Sequence, residues 1–492
     1  MDSVRESQET LEKAASLEEA SGQVRDTEQN AQLYRQIDWH IMPLMFLCYF
    51  LQFLDKVVLN YANIMGLTTS LHMDTNQFSW LASAFFIAYA VAEFPQGYLL
   101  QKFPISKILG VNVFLWGITL CCTAAAKSFA SIAALGVLLG CFEAIISPAL
   151  IMITSQWYTK RMGTPRVGIW YCGLDAGQII GGLISFGAQH GDATASFSGW
   201  RIMFVAVGAF NILVAVAVIL FLPNNVDSAS FLSEDEKVAI HDLLILDQGG
   251  NGKKVFKFWS LWETAADLQV WLLFILTILI AIPSGVITTF SAVLIKGFGY
   301  TAKQSALLNM PSGAVSIFAT LICTFAILKN FPRWLGICVL MAPTLIGAGL
   351  MSFYKGTRGG VLAGIYLINF DVAPLALIYA LVGGNTQGYT KRVATNAIVA
   401  IGFSVANIIG PQTFRTHEAP GYISAKITIF AVNGASIVVA VLLRLLYGNR
   451  NRKRMQNRKM QLDAVGRGEM TVKEIEEDDM TDVTNTAFVY NY

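Results

Sequence analysis

The chain alternates between long apolar stretches and shorter polar ones. Twelve apolar stretches lie near residues 39–62, 78–99, 107–126, 131–154, 166–188, 200–222, 269–292, 304–328, 333–353, 361–384, 393–411 and 424–447. Each comes close to the ~20 residues that an α-helix needs to cross a bilayer core. A longer polar interval, Pro223 to Asp267, separates the sixth from the seventh. Within it, Ser233-Glu-Asp-Glu-Lys237 has the form of a helix cap followed by first-turn acids. The pattern predicts an all-α membrane protein of about twelve transmembrane helices. Its parts are an N-terminal tail (residues 1–38), a six-helix bundle (39–222), a middle loop (223–268), a second six-helix bundle (269–447) and a C-terminal tail (448–492). Both tails are polar and read as disordered.

Composition removes the soluble alternative. Hydrophobic residues make up 54% of the chain and charged residues 14%, against about 25% charged in soluble domains. That is too little charge to cover a water-facing surface. The net charge of +2 says nothing about partners, but its distribution does. Lys102, Lys107, Lys160, Arg161, Arg166, Lys329, Arg333, Lys391 and Arg392 fall in loops on one side, with the basic run Arg450, Arg452, Lys453 and Arg454 after the last span. The loop from Thr68 to Gln77, on the other side, has no lysine or arginine. The positive-inside rule places both tails and the middle loop in the cytosol. The first residues lack the apolar core of a cleavable signal, so the first span is expected to act as the insertion signal. All seven cysteines sit in apolar stretches without Cys-x-x-Cys or Cys/His spacing. They read as packing residues, and no metal or cofactor is expected.

The two halves echo each other. Lys102-Phe-Pro-Ile-Ser-Lys-Ile-Leu-Gly110 is matched by Lys329-Asn-Phe-Pro-Arg-Trp-Leu-Gly336. Thr159-Lys-Arg161 leading to Gln178-Ile-Ile-Gly181 is matched by Thr390-Lys-Arg392 leading to Asn407-Ile-Ile-Gly410, at nearly the same offset. Six-plus-six parallel repeats are the arrangement of major facilitator transporters, whose site lies between the halves at the midplane.

A set of short motifs makes the resemblance specific. It comprises Phe53-Leu-Asp-Lys56, Pro95-Gln-Gly-Tyr98, Gly140-Cys-Phe-Glu-Ala144 with Pro148, Trp157-Tyr158, Gly168-Ile-Trp-Tyr171 and Trp200-Arg201. Further along come Phe231-Leu-Ser-Glu-Asp-Glu236, Gly384-Asn385 with Thr390-Lys-Arg392, and Asn407-Ile-Ile-Gly-Pro-Gln-Thr-Phe414 followed by Ala419-Pro420-Gly-Tyr422. With these motifs the chain resembles a fungal member of the anion:cation symporter family of the major facilitator superfamily, in the allantoate permease branch. The resemblance implies the major facilitator fold and a central cavity lined by spans one, four, seven and ten.

Ionisable groups at membrane depth cost at least ~2.5 kcal/mol each on insertion scales, so each needs a reason. Asp55 and Lys56 lie in the first span, Glu143 in the fourth, Asp175 in the fifth and Asp371 in the tenth. The resemblance implies that Asp55 and Glu143 are proton-coupling carboxylates and that Lys56 holds the anionic group of the substrate. Desolvation favours the neutral form of a buried acid, which fits the first role. The competing reading is a structural ion-pair cluster between helices. Asp371 and Asp175 are candidate substrate contacts. Tyr89, Gln178 and Asn385 stand where the family places polar cavity residues, although each also suits an interhelical hydrogen bond. Glu93, near the loop with Lys102 and Lys107, reads as a gating or interhelix pairing residue rather than a substrate contact.

Two departures from the family pattern matter. Where the family often has Arg-x-x-Leu-Gly-x-x-Glu, this chain has Gly136-Val-Leu-Leu139-Gly140-Cys-Phe-Glu143, so the arginine is missing. Asp175 adds an acid where a neutral residue is expected. Both make the cavity more negative and open the way to a zwitterionic or cationic substrate. Enzymatic readings find no support. Gly249-Gly-Asn-Gly-Lys-Lys254 lacks the P-loop spacing and a preceding strand, and the five histidines form no catalytic or metal motif. The terminal basic run belongs with topology and anionic lipid, not nucleic acid. The sequence therefore predicts a monomeric secondary transporter in the plasma membrane, whose partners are a small-molecule substrate, a proton and the lipid bilayer. The expected activity is proton-coupled uptake of a small carboxylated, nitrogenous or vitamin-like metabolite by alternating access. The alternatives are an exporter of a secondary metabolite or drug, and a membrane sensor without net transport.

Overall fold

The computed structural model describes residues 28–190, 198–247, 258–329, 331–354, 356–415, 418, 422–466, 481–483 and 488–490. The N-terminal residues 1–27, the glycine-rich stretch 249–254 and the acidic run 474–479 lie outside these, as do Ala419 and Pro420. Twelve helices among the described residues are long and apolar enough to cross a membrane, and no strand occurs among those residues. They are α1 (Glu28–Ile64), α2 (Thr75–Lys102), α3 (Ile105–Thr123), α4 (Phe129–Trp157), α5 (Lys160–Ala188) and α6 (Gly199–Phe221) in the first half. The second half holds α7 (Leu268–Gly297), α8 (Ala302–Leu328), α9 (Arg333–Phe353), α10 (Arg358–Asn385), α11 (Tyr389–Gln412) and α12 (Ile423–Gly466). Between the halves, the expected cap at Ser233 starts a helix, Glu234–Asp247. The Ser233 hydroxyl accepts from the Glu236 amide, and the Glu236 carboxylate accepts from the Ser233 amide. A further short helix, Trp259–Ala266, was not apparent from the sequence.

Two spans are broken at mid-membrane, and proline explains both breaks. A proline cannot donate to the carbonyl four residues earlier and its ring clashes with that carbonyl. Pro148 acts this way on Ala144, and α4 divides into Phe129–Glu143 and Ile146–Trp157. Pro374 acts on Phe370, and α10 divides into Arg358–Ile368, a 3₁₀ turn Asn369–Val372, and Pro374–Asn385. Each break carries an acid, Glu143 in one and Asp371 in the other. The two acids are separated in sequence by the same offset as the repeated motifs, to within a few residues. Broken helices at the midplane are where transporters of this kind place substrate and ion sites.

Within the first half α1 packs on α5, α3 on α6 and α2 on α4; in the second, α7 packs on α11 and α9 on both α10 and α12. The halves meet along α5 with α8, α2 with α11, and α1 with α7. Close approach of α5 and α8 requires glycine at 313, because a Cβ there would fall 2.6 Å from the Asp175 carbonyl oxygen. Towards the face opposite the chain ends, polar and aromatic contacts tie the halves together. The Asn60 amide donates to Ser291 Oγ at 2.8 Å and the Asn309 amide to the Tyr61 hydroxyl at 3.1 Å. Gln412 donates to Ser83 Oγ at 2.8 Å. Phe290 stacks on Phe414 at 4.1 Å and meets Phe78 edge-on at 5.4 Å.

The ends of the chain depart from the expected tails. The first helix starts by Glu28, with Leu33, Tyr34 and Ile37 buried, and Asp38 pairs with Arg166 at 2.7 Å. The last helix runs on to Gly466, well past residue 447. Thr481–Val483 and Phe488–Tyr490 then return to the bundle, where the Tyr490 ring stacks on Tyr447 at 5.4 Å. Tyr490 exchanges backbone-to-side-chain hydrogen bonds with Asn451, both 2.9 Å. Asp482 pairs with the buried Lys391 at 2.9 Å and accepts from the Tyr490 hydroxyl at 2.9 Å. Burial, reinforced by the Asp482 carboxylate, pushes the Tyr490 phenol up to about 12.

Candidate transport site

Asp55 and Lys56 project from α1 and Glu143 from the break in α4, and the structure brings all three together. The Lys56 ammonium donates to Glu143 Oε1, lies 3.7 Å from Asp55 Oδ1, and donates to the Gln52 carbonyl at 2.6 Å. Asp55 and Glu143 are 5% and 0% exposed. Asp55 Oδ2 accepts from the Trp116 indole of α3 at 3.1 Å. The remaining oxygens, Asp55 Oδ1 and Glu143 Oε2, have no hydrogen-bond partner. Asp55 Oδ1 thus keeps only its longer ion contact to Lys56, while Glu143 Oε2 is left over. Close packing supports it: a Cβ on Gly140, one turn before Glu143, would fall 2.3 Å from the Phe85 carbonyl oxygen of α2. Phe85 also places its ring 4.9 Å from the Lys56 ammonium, in cation–π range.

Asp55 and Lys56 border a largely apolar cavity of about 60 Å³. Leu81, Phe85, Phe86, Leu139, Thr288 and Thr289 also line it. So does Gly136, the position where the related pattern carries arginine. Glycine there leaves space beside Lys56 instead of a second cation. Among the described residues, Lys56 is the basic side chain that borders this cavity.

Three of the other candidates form a separate group. Asp175 and Gln178 of α5 and Asp371 in the α10 break line a second, much smaller cavity of about 10 Å³, with Ser284, Ser316 and Asn369. Thr288 borders both cavities. Tyr89 is buried on α2 with its ring 6.2 Å from Phe85, so it stands one ring away from Lys56.

The remaining candidates lie elsewhere. Asn385 ends α10 near the chain ends, where its carbonyl accepts from Gln269 at 3.1 Å; it lines neither cavity. Its place at the end of a span, one residue beyond the apolar stretch, explains the difference. Glu93 is half-buried and has no ion-pair partner among the described residues. Lys102 and Lys107 are exposed, and Lys102 sits 5.8 Å over the Tyr98 ring. No Glu93–lysine gate forms in this conformation. Sequence reasoning missed Trp116, Phe85 and Thr288. A lone tryptophan or phenylalanine in an apolar span carries no signal that separates it from packing.

The comparisons with known proteins agree with this architecture. The model of the Major Facilitator Superfamily matches residues 45–411. The thiamine pathway transporter THI73 of Saccharomyces cerevisiae is 37% identical, over 94% of this chain and 87% of its own length. Allantoate permease of the same yeast is 30% identical, over 98% of this chain and 90% of its own. Among solved structures, a bacterial homologue of the human lysosomal transporter Spinster, inward-facing and unoccupied, superposes with a TM-score of 0.63. It shares 18% identity over 82% of this chain and 95% of its own, a likeness of fold alone. The chain belongs to the major facilitator superfamily of membrane transporters, in the allantoate permease-like branch of its fungal members.

Proposed function

We propose that the chain is a proton-coupled transporter that takes up a small carboxylated, nitrogenous or vitamin-like metabolite by alternating access. It acts as a monomer in the plasma membrane, with both termini in the cytosol as its basic loops require. The observation that carries the reading is the cavity-side trio, in which one lysine is shared by two buried acids. With both acids ionised the trio has one negative charge in excess, which repels an anionic substrate. One proton makes it neutral. A second releases Lys56 from competition, and its ammonium is then free to pair with a substrate carboxylate. Substrate and proton thus favour each other's binding, which is what symport needs.

The yeast relatives named for thiamine-pathway transport and for allantoate favour a small metabolite as cargo. The experiment is uptake of a labelled metabolite panel by cells expressing the protein, with and without a protonophore. Accumulation above the external concentration that collapses with the protonophore is expected. Uptake that only equilibrates, with or without the protonophore, contradicts the coupling.

A further inference from the structure

One contact on the face that carries the chain ends plays no part in the trio. There Thr481–Val483 and Phe488–Tyr490 dock on the second half, with Asp482 0% and Tyr490 1% exposed. The Tyr490 hydroxyl donates to Asp482 Oδ2 and accepts from Arg450 and Arg454 of α12, both at 3.3 Å. Arg454 also donates to the carbonyl oxygens of Phe488 and Asp482. Arg450, so oriented, donates to Gln269 Oε1 of α7 at 3.3 Å. Gln269 in turn donates to the Asn385 carbonyl at 3.1 Å and to Thr386 Oγ1 at 3.3 Å. Asp482 completes the circuit, accepting from the Gln387 amide at 3.4 Å and pairing with Lys391.

These contacts converge on the end of a movable piece. Past the 3₁₀ turn Asn369–Val372, α10 continues as the separate helix Pro374–Asn385, and a break between elements is a place where one can hinge. That half-helix packs on α7, α8, α9 and α11 of its own half. Its counterpart in α4, Ile146–Trp157, packs on α1, α3 and α5 of the first half. At the opposite face the halves are tied directly, Asn60 to Ser291, Tyr61 to Asn309 and Ser83 to Gln412. Alternating access requires the chain-end face to close in its turn, and both half-helices end at that face. For the α10 piece to swing towards α4, its end must leave Gln269 and Asp482.

We propose that Thr481–Val483 and Phe488–Tyr490 form a strap that holds the end of α10 against α7 and α12 and restrains its swing towards α4. A contact made in only one of two conformations shifts their populations by its own free energy. Docked, the strap therefore favours the arrangement seen here; displaced, it frees the half-helix to close the chain-end face. Its anchors are an ion pair, a set of hydrogen bonds and the Tyr490 ring stacked on Tyr447. They sit beyond the last span, so the strap can leave without unfolding a membrane helix. The inference needs only that the two halves alternate. It stands apart from proton coupling and from the nature of the cargo.

The test measures the distance between the two half-helices in the full-length chain, purified into nanodiscs. Nitroxides are carried on p-acetylphenylalanine at positions Ser155 and Gly383, so the native cysteines stay in place. Both positions are exposed, and a Cβ at Gly383 would meet nothing within 4 Å. With the native strap, pulsed dipolar spectroscopy should show mainly the longer of two distances. Combining Asp482→Asn with Tyr490→Ala should raise the ratio of shorter to longer distances by about fivefold or more, the effect of losing hydrogen bonds made in one conformation only. Tyr490→Phe keeps the ring stack and loses the hydroxyl contacts, and should shift the ratio the same way by about twofold. An unchanged distribution in the double variant overturns the proposal, even with a lower thermal midpoint, because the segment then only stabilises the second half. A shift to longer distances overturns it as well. Should the double variant fail to fold, Tyr490→Phe decides by the same criteria.

Discussion

Two lysines, Lys56 and Lys391, are each enclosed by acids, and the two clusters are built to different ends. Lys391, at the start of α11, is 0% exposed and pairs with Glu263 at 3.2 Å, Asp267 at 2.8 Å and Asp482 at 2.9 Å. Arg450 of α12 adds a contact to Asp267 at 2.5 Å. One cation thus gathers the start of α7, the start of α11 and the end of the chain, and Arg450 brings in α12. Burial works against its charge, yet the hydrogen bond from Arg450 and the Lys391 ammonium hold the Asp267 carboxyl below the usual carboxylate range. Lys56 has two acids, Glu143 with Oε2 left unpartnered and Asp55 with Oδ1 held by the 3.7 Å ion contact alone, and borders a cavity. The Lys391 cluster, whose unpartnered oxygen is Glu263 Oε2, borders neither cavity and fixes helices to one another. The Lys56 cluster borders a cavity, and in the proposed cycle it takes up a proton and then substrate.

Removing each lysine separates the two roles. Lys391→Met leaves three acids facing one arginine and should cost about 3–5 kcal/mol of stability, the usual effect of breaking a buried pair from one side. The readout is a large fall in the thermal midpoint of the purified protein. Lys56→Gln should leave the midpoint much closer to wild type, because two acids beside a cavity can take up protons. It should nonetheless lose about 1.5–3 kcal/mol of affinity for a carboxylated substrate, a ten- to more than hundredfold rise in KM by that arithmetic. Lys56→Arg should also impair transport, since the planar guanidinium cannot reproduce the ammonium geometry. Equal destabilisation by Lys391→Met and Lys56→Gln would erase the distinction between the clusters.

The smallest expected effects concern the returning chain end. Asp482→Asn should cost about 1–3 kcal/mol, as for a buried group left with weaker partners, with affinity for substrate unchanged. The pH dependence follows from Asp267. Its folded pKa is depressed, so its stabilisation is complete above the unfolded carboxylate value near ~4 and is lost as pH falls through the lower folded value. A thermal midpoint that declines as pH falls from about 4 through that lower value would sharpen the comparison.

Most of the membrane fold was legible in the sequence, because each span must supply about twenty apolar residues and polar loops punctuate them. The trio was legible for the same reason: Asp55, Lys56 and Glu143 stand out as charges where charge is costly. Other features left weaker marks. The breaks in α4 and α10 follow from Pro148 and Pro374, yet Pro95, Pro283 and Pro311 sit inside unbroken helices, so proline alone does not announce a break. The return of Thr481–Val483 and Phe488–Tyr490 depends on partners far away in sequence, and no local periodicity encodes it. Asn385 was singled out by the resemblance, yet it ends its span and lines neither cavity, because a family motif does not fix the depth of each residue in it.

Glu143 tests the central claim most directly. In the proposed cycle its protonation, together with that of Asp55, frees the anchor, since it contacts Lys56 directly. Glutamine mimics the protonated acid, permits substrate binding and cannot release a proton. Accumulation against a gradient and counterflow exchange, measured on Glu143→Gln in the same membranes, should separate: accumulation abolished, exchange retained. Undiminished accumulation in that variant would contradict the account and leave the Asp55, Lys56 and Glu143 trio as a structural cluster.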